Sequence, residues 1–445
     1  MKQIKQYDFT QKIENRELRR FLFPFFLSAG FQCIYTMVNT AVVSRYLSQE
    51  AVAVIGACTG CVTIFNSMLP AFISGFGIYI TRCIGSGDPE EIGQGFWGAV
   101  YIILAIGAIC AALTLFAEEI LRQANVPEPL LQDAVAYFRM ILLGTVVLFL
   151  KLILISAVQG MGNSTVPAFV SMVGVVVQTL LVVFLIAGLH MGIVSSALAI
   201  LLNNLWQVLV LFLFLRILWG DRFPFAAPFR IRKDRYLVIL TNGYSKGLMF
   251  VFLSVGVYVM QHMENNLSTD ILAGDAYSDQ FSTLFTELLS AYGTAAVVIV
   301  GQNIGRGNYR LIHDYIGRLN RRSLPWCLLI GIVSVVFAPA LIGSLAGNGA
   351  SPEAIRAGIL EMRIIFISYP FLTALVILRY ALQSMGDYLA MPIFGFVEMF
   401  INIAMAMMIP RIGYPAVCLG LALSRIGAGL AALFRYRSFI KKRCQ

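Results

Sequence analysis

The stretch IGSGD at residues 84–88 decides the fold, because it returns as IGRGN at residues 304–308, about half the chain later. The separation is 220 positions (304 minus 84). AVQGMGN at 157–163 returns as ALQSMGD at 381–387, and RMI at 139–141 as RII at 363–365, each 224 positions on (381 minus 157; 363 minus 139). Three motifs that keep their order and spacing indicate a two-fold internal repeat. Such a repeat in an apolar chain is typical of a transporter built from two like bundles.

The composition predicts a membrane protein. Hydrophobic residues make up 59% of the 445 positions, charged residues only 13%, and the mean hydropathy is +0.80. In soluble domains, about a quarter of all residues are charged. Twelve apolar runs of about 20 residues follow one another, the ninth at 324–346, and this is the length of a membrane-spanning helix. Runs this long and without alternation exclude a barrel, so an all-α polytopic membrane protein is predicted.

The repeat and the twelve spans together predict two pseudo-symmetric six-helix bundles. Six is an even number, so both copies enter the membrane in the same direction and their symmetry axis lies along the membrane normal. The predicted organisation is an N-terminal segment (1–20), an N-lobe (21–215), a linker (216–236), a C-lobe (237–436) and a tail (437–445).

The basic residues predict the orientation. With both termini inside the cell, the inner segments hold 23 Lys and Arg and the outer loops hold four. This asymmetry predicts a multi-pass protein of the cell membrane with cytoplasmic termini. It also accounts for the net charge of +10 through contact with anionic lipid headgroups, without a nucleic-acid partner. We expect a monomer.

The chemistry-bearing residues argue against an enzyme. The three histidines, His190, His262 and His313, fall at span ends in separate loops, so no catalytic cluster is expected at membrane depth. The chain has no Gly-x-x-x-x-Gly-Lys motif for ATP. Cys58 and Cys61 have a CxxC spacing, but their apolar setting favours helix packing over a metal or redox site. We therefore predict no enzyme activity, no metal and no cofactor apart from a coupling ion, H⁺ or Na⁺.

The chain resembles the multidrug and toxic compound extrusion (MATE) family nearly from end to end. The strings that carry the likeness are Pro24 with YTMVN at 35–39 and SR at 44–45, IG at 84–85, GMG at 160–162, GQNIG at 301–305, LQSMG at 382–386 and Glu398. The resemblance implies a two-lobed, V-shaped antiporter of twelve helices. It also implies export of amphipathic, often cationic xenobiotics against a proton or sodium gradient.

The chain departs from the family at its N-lobe acids. Many bacterial members carry an Asp fifteen residues after the first-span proline, where this chain has Asn39. The Asn and Asp that accompany it in the fifth span correspond to Gln178 and Val182. An amide does not titrate, so Asn39 is expected only to line a cavity. The full set of candidate substrate-cavity residues is Tyr35, Asn39, Lys151, Gln178, Lys246, Tyr258, Gln261, Tyr277, Tyr292 and Arg425.

Charged residues inside spans are costly and therefore mark functional sites. The cation-coupling candidates all fall in the C-lobe: Asp275, Asp279, Glu287 and Glu398. Asp275 and Asp279 are four residues apart on one face of the eighth helix, and their repulsion as anions favours proton uptake. We predict that they form the primary coupling pair and that Glu287 is a deeper relay.

The alternative is that the C-lobe acids only form ion pairs with Lys246 and Arg425, while Arg379 extends to the inner interface. Lys151 is the only charge near mid-depth in the N-lobe. It is predicted either to bind an anionic group of a substrate or to reach an acid of the C-lobe.

A second function stays open at the level of the sequence. A flippase of a lipid-linked oligosaccharide in the same superfamily has a cavity lined with positive charge for pyrophosphate. Lys151, Lys246 and Arg425 favour this alternative, whereas GQNIG and the acidic eighth helix favour the exporter. Negative potential near the eighth helix would indicate the exporter, and positive potential at mid-depth the flippase.

Overall fold

The structure, a computed structural model, describes residues 6–46, 54, 58, 61–62, 64–124, 126–189, 194–220, 223–226, 231–346 and 350–443. These residues form twelve long helices and no strand. The helices are α1 (Asn15–Tyr46), α2 (Leu69–Ser86), α3 (Pro89–Leu113), α4 (Glu128–Gly160), α5 (Thr165–Val183), α6 (Val194–Trp219), α7 (Lys233–Glu264), α8 (Thr269–Gly305), α9 (Tyr309–Val336), α10 (Pro352–Ser384), α11 (Ala390–Ala406) and α12 (Pro415–Arg443).

The helices have membrane dimensions. Among the described residues, nine helices are long and apolar enough to cross a bilayer, and α11 is a shorter apolar helix. Helix α3 continues through a 3₁₀ turn, Thr114–Phe116, to Gln123, and a π-helical turn, Ile64–Met68, precedes α2. A 3₁₀ turn, Phe366–Ser368, also lies within α10. The all-α, multi-pass prediction is confirmed.

Helix α9 differs from its predicted span of 324–346. It begins fifteen residues earlier, at Tyr309, and ends at Val336, and a separate short helix follows at Ala338–Ala346. The early start has a physical reason. Arg318 and Asp314 form an ion pair of 2.7 Å one turn apart, so a charged segment that hydropathy excludes from a span still continues the helix.

The internal repeat is visible in the backbone. Gly87 and Gly307 both have left-handed φ angles, 74° and 71°, and their N–H groups donate to the carbonyls of Ile84 and Ile304 over 3.2 and 3.1 Å. Gly162 and Gly386, the second motif pair, have φ of 80° and 90°. A residue with a Cβ rarely adopts this conformation, so both copies need glycine to reverse the chain.

The chain divides into two compact units. Unit 1 comprises Met1–Gly247 and Ile304–Gly307, and unit 2 comprises Leu248–Asn303 and Asn308–Gln445. Unit 1 has buried apolar clusters on α2 to α6, and unit 2 has its own clusters on α8 to α12. The predicted linker, 216–236, lies within unit 1, and the predicted lobe boundaries remain predictions.

Candidate functional site

Small residues bring α8 and α10 into backbone contact in unit 2. A Cβ added at Gly274 would lie 2.3 Å from the carbonyl oxygen of Ala354, and one at Gly358 would lie 2.8 Å from the carbonyl oxygen of Gly274. Helices in membranes pack closely where small residues face each other. This approach places Ser278, one turn beyond Gly274, against Glu361, one turn beyond Gly358.

A carboxyl cluster forms at this crossing. The Ser278 hydroxyl hydrogen-bonds Glu361 Oε2, and the Tyr414 hydroxyl lies 2.8 Å from the same oxygen and 3.1 Å from Asp275 Oδ1. The carboxyl group of Asp275 also interacts with those of Glu361 and of Glu264, the last residue of α7. Glu361 and Glu264 are only 1% and 4% exposed, so water does not solvate their charges.

The hydroxyl groups of Ser278 and Tyr414 supply only two protons for hydrogen bonds to these acids. Tyr414 has one hydroxyl proton for two carboxyl neighbours, and Ser278 has one for Glu361 and for the carbonyl of Asp275, 3.2 Å away. Two carboxyl groups hydrogen-bond each other only when one of them carries a proton. Asp275 interacts with the carboxyl groups of Glu264 and Glu361, so a proton bound among the three would relieve the repulsion between their charges.

These acids line a cavity of about 150 Å³ in unit 2. Its wall is formed by Val257, Met260, Gln261, Glu264, Asp275, Asp279, Glu361, Asn402, Val417 and Leu421. The structure thus brings together the predicted pair Asp275 and Asp279 and the predicted cavity residue Gln261. It adds two acids from other helices, and we refer to Glu264, Asp275, Asp279 and Glu361 as the acid cluster.

Positive charge near the acid cluster is scarce. Among the described residues, no Lys, Arg or His nitrogen lies within ion-pairing distance of a cluster carboxylate. Arg425 on α12 acts electrostatically on Asp279 and on Glu398. One guanidinium cannot neutralise four carboxylates, and isolated charges are expensive at membrane depth.

Glu398 lies in a different setting from the acid cluster. Its Oε1 is 3.9 Å from Nη1 of Arg379, and both side chains are mostly buried. The prediction that Arg379 extends to the inner interface is therefore wrong, because its guanidinium instead pairs with Glu398 and lies over the Tyr380 ring at 5.5 Å. Glu398 thus forms a buried ion pair, as the alternative prediction states, but its partner is Arg379 rather than Lys246 or Arg425.

A second, larger cavity lies in unit 1. It has a volume of about 610 Å³ and is lined by Gln32, Ser67, Leu148, Lys151, Ser171, Val175, Gln178, Ile200, Asn203, Asn204 and Gln207. Lys151 Nζ lies 2.6 Å from Asn204 Oδ1, and the Asn203 amide donates to Gln178 Oε1 over 2.7 Å. This amide cavity includes the predicted residues Lys151 and Gln178.

Other predicted residues line neither cavity. Tyr292 is 1% exposed and its hydroxyl donates to the carbonyl of Arg322 over 2.9 Å, and Tyr277 packs on the apolar core of unit 2. Tyr258 is 70% exposed and stacks on His262.

The remaining predicted residues also lie apart from the cavity walls. Lys246 is half-buried in α7, while Glu287 is exposed on α8. Tyr35 and Asn39 lie on α1, but their side chains fall outside the described part of the structure.

Sequence reasoning missed Glu264, Glu361 and Tyr414. Glu264 ends α7 and Tyr414 lies just before α12, where hydropathy assigns residues to loops or interfaces, whereas Glu361 lies inside α10. A signal was nevertheless present, because Glu361 follows Gly358 at a helical spacing, as Ser278 follows Gly274, and small residues mark helix contacts.

Two repeats of membrane-spanning helices, each unit with a polar cavity among its helices, define a multi-pass membrane transporter. The MatE family model matches residues 24–185 and again residues 247–408, and the chain therefore belongs to this family. The two matches begin 223 positions apart (247 minus 24), which agrees with the internal repeat. As a member of a transporter family the chain is not an enzyme.

Individual relatives match this chain over nearly its whole length. The chain is 23% identical to the "Probable multidrug resistance protein YpnP" of Bacillus subtilis (strain 168), over 98% of this chain and 97% of that protein. Among solved structures it superposes with a TM-score of 0.89 at 16% identity, covering 99% of both chains, on the outward-facing conformation of a multidrug resistance MATE family transporter of the MOP superfamily.

A further structural neighbour comes from Pyrococcus furiosus Vc1. It superposes with a TM-score of 0.87 at 15% identity over 100% of both chains, and is described with the words "reverse polarity of binding pocket suggests different function of a MOP superfamily transporter". At these identities, the superpositions establish the fold.

Proposed function

We propose that the protein is a secondary active exporter of amphipathic small molecules that carry a cationic group, and that proton uptake by the acid cluster drives it. The observation that carries the proposal is the gathering of four carboxyl groups from α7, α8 and α10 without an ion-paired base among the described residues. Membership of the MatE family and the printed name of YpnP support multidrug export.

The cluster suits a coupling role because it has two electrically different states. With protons bound, the carboxyl groups satisfy one another through hydrogen bonds. Without protons, they repel each other in a poorly solvated site and attract a cation. A cationic substrate and protons then compete for the same charge, so binding of one releases the other. Competition of this kind, combined with alternating access from the two membrane faces, gives antiport.

The free energy of a pH gradient is sufficient to drive export. Each unit of pH difference across the membrane supplies about 1.4 kcal/mol per proton, equivalent to a tenfold concentration ratio of a singly charged substrate at zero membrane potential. The proton is favoured over sodium because the interacting carboxyl groups of Asp275, Glu264 and Glu361 can share protons through hydrogen bonds. A sodium ion would take the place of those protons and break those bonds.

The N-lobe acids of the family cannot supply coupling here. Asn39 and Gln178 carry amides, and no Asp or Glu occurs between Asp133 and Asp221. The proposal therefore places coupling in unit 2. It also places the protein in the cell membrane, as a monomer surrounded by lipid, with both termini in the cytoplasm.

Transport in proteoliposomes tests the proposal. Purified protein is reconstituted, and uptake of a fluorescent organic cation is followed under an imposed pH gradient, an imposed sodium gradient or neither. We expect uptake to follow the pH gradient and to be unaffected by sodium. Uptake that depends on sodium alone would show that sodium, and not the proton, is the coupling ion. Uptake that is independent of both gradients would contradict antiport.

A flippase of an anionic lipid-linked substrate is the second candidate, and Lys151 favours it. The amide cavity contains this lysine, and the relative from Pyrococcus furiosus is described as having a pocket of reverse polarity. The acid cluster places negative charge in unit 2, and a carrier of pyrophosphate does not require negative charge. Translocation of a fluorescent prenyl pyrophosphate without any ion gradient would favour the flippase.

A further inference from the structure

Lys151 has no neutralising anion among the residues that the structure describes. Its Nζ makes one hydrogen bond, to the neutral amide oxygen of Asn204, and no carboxylate of the described residues pairs with it. The sequence explains why. No Asp or Glu occurs between Asp133 and Asp221, a stretch that contains most of α4 and all of α5 and α6, and these helices supply nine of the eleven residues that line the cavity.

The amide groups around Lys151 are arranged to keep donors available. Asn204 Oδ1 is occupied by the ammonium group, which leaves the N–H groups of that amide to donate elsewhere. Asn203 and Gln207 are four residues apart on the same face of α6. A Cβ added at Gly174 would lie 2.5 Å from Nε2 of Gln207, so this amide packs directly against the glycine. A side chain at position 174 would push this amide away, so glycine fits the wall.

Only two N–H bonds of the ammonium group remain for another partner, together with one unit of charge. One unit of positive charge matches a singly charged anionic group, whereas a doubly charged phosphate would leave a buried excess charge. The cavity of about 610 Å³ is within the range of sites for drug-sized ligands.

We propose that the amide cavity binds a carboxylate or another singly charged anionic group of the transported molecule through Lys151 and Asn204. This inference rests on the proposed export function and narrows its substrates to zwitterionic amphipaths, which carry an anionic group in addition to a cationic one. An organic cation without an anionic group leaves Lys151 unneutralised in the cavity and binds more weakly.

A matched pair of dyes tests this inference by binding alone. Rhodamine B carries a carboxylate and a delocalised cation at neutral pH, and its ethyl ester keeps the chromophore and the cation but loses the anion. Fluorescence anisotropy with purified protein in nanodiscs, without any gradient, gives the affinity for each dye. We expect the wild type to bind rhodamine B at least tenfold more tightly than the ester.

Three variants complete the experiment. Lys151→Met should reduce the affinity for rhodamine B to that for the ester and leave the ester unchanged. Lys151→Gln keeps a donor for Asn204 without the charge, so it should behave in the same way even if Lys151→Met folds poorly. Lys246→Met removes another intramembrane lysine that does not line this cavity, and it should keep the preference of the wild type.

The outcomes separate the two proposals. Equal affinity of the wild type for the two dyes, weak binding of both, or a preference that survives in Lys151→Gln would overturn the anionic-group site, whatever the transport assay shows. An intact preference that is lost in both Lys151 variants, together with transport that ignores ion gradients, would overturn proton-driven export and leave the site in place.

Discussion

The hydroxyl of Tyr414 lies 2.8 Å from Oε2 of Glu361, although 53 residues separate them in the chain. Tyr414 precedes α12 and Glu361 lies inside α10, so their contact joins two helices at the acid cluster. The same carboxylate oxygen also accepts the Ser278 hydroxyl of α8. Glu361 therefore connects α10 with α8 and with the segment before α12, and a change in its protonation alters its contacts with both.

Glu361→Gln should abolish gradient-driven transport. Glutamine preserves the size of the side chain and its ability to hydrogen-bond Ser278 and Tyr414, but it cannot release a proton. Uptake driven by a pH gradient should fall at least tenfold. Glu353→Gln, an exposed acid eight residues earlier on the same helix, is the matched control and should transport normally. Normal uptake by Glu361→Gln would exclude this residue from coupling.

Asp275→Asn combined with Asp279→Asn should also uncouple the protein. The two carboxylates line the same cavity, and their amides cannot exchange protons. We expect loss of pH-driven uptake with persistent substrate exchange in the absence of a gradient. Asp270→Asn, at the start of the same helix and outside the cavity wall, should have no effect. If the double variant transports as the wild type does, the pair is structural and coupling resides elsewhere.

Arg435→Lys should lower the stability of unit 2. The guanidinium of Arg435 makes two hydrogen bonds of 2.7 Å to the carboxylate of Asp387, which is 8% exposed, and lysine cannot reproduce this bidentate geometry. Because Arg435 is partly exposed, the cost should be about 1–2 kcal/mol. The midpoint of thermal unfolding in detergent measures it, with Arg437→Lys as the exposed control. Equal midpoints for both variants would show that the pair contributes little.

Gly305→Ala should destabilise unit 1 through a collision with the backbone. A Cβ at Gly305 would lie 2.4 Å from the nitrogen of Ser86 and 2.5 Å from the oxygen of Arg82, and backbone atoms have no rotamer by which to move aside. Overpacking of this kind costs about 1–3 kcal/mol. Gly317→Ala is the control, since nothing lies within 4 Å of a Cβ there and alanine favours the helix. A thermal midpoint for Gly305→Ala as high as that of the control would refute the close approach.

The sequence by itself determined the architecture. Twelve apolar runs, the shifts of 220 and 224 positions and the glycine motifs are local or periodic features, and each is written in the order of residues. The left-handed glycines at 87 and 307 confirm this, because only a residue without a Cβ suits that backbone conformation. The placement of Asp275 and Asp279 on one helix face was likewise predictable from the helical period.

Only the tertiary structure decided which side chains meet. Glu264, Glu361 and Tyr414 join Asp275 because α7, α8, α10 and the segment before α12 converge, and hydropathy does not state which helices are neighbours. The same holds for Lys151 and Asn204, which are 53 residues apart and meet between α4 and α6. In a membrane, apolar surface faces lipid as readily as protein, so helix neighbours are chosen by small residues and polar contacts across long sequence separations. Those contacts appear only when the chain is folded.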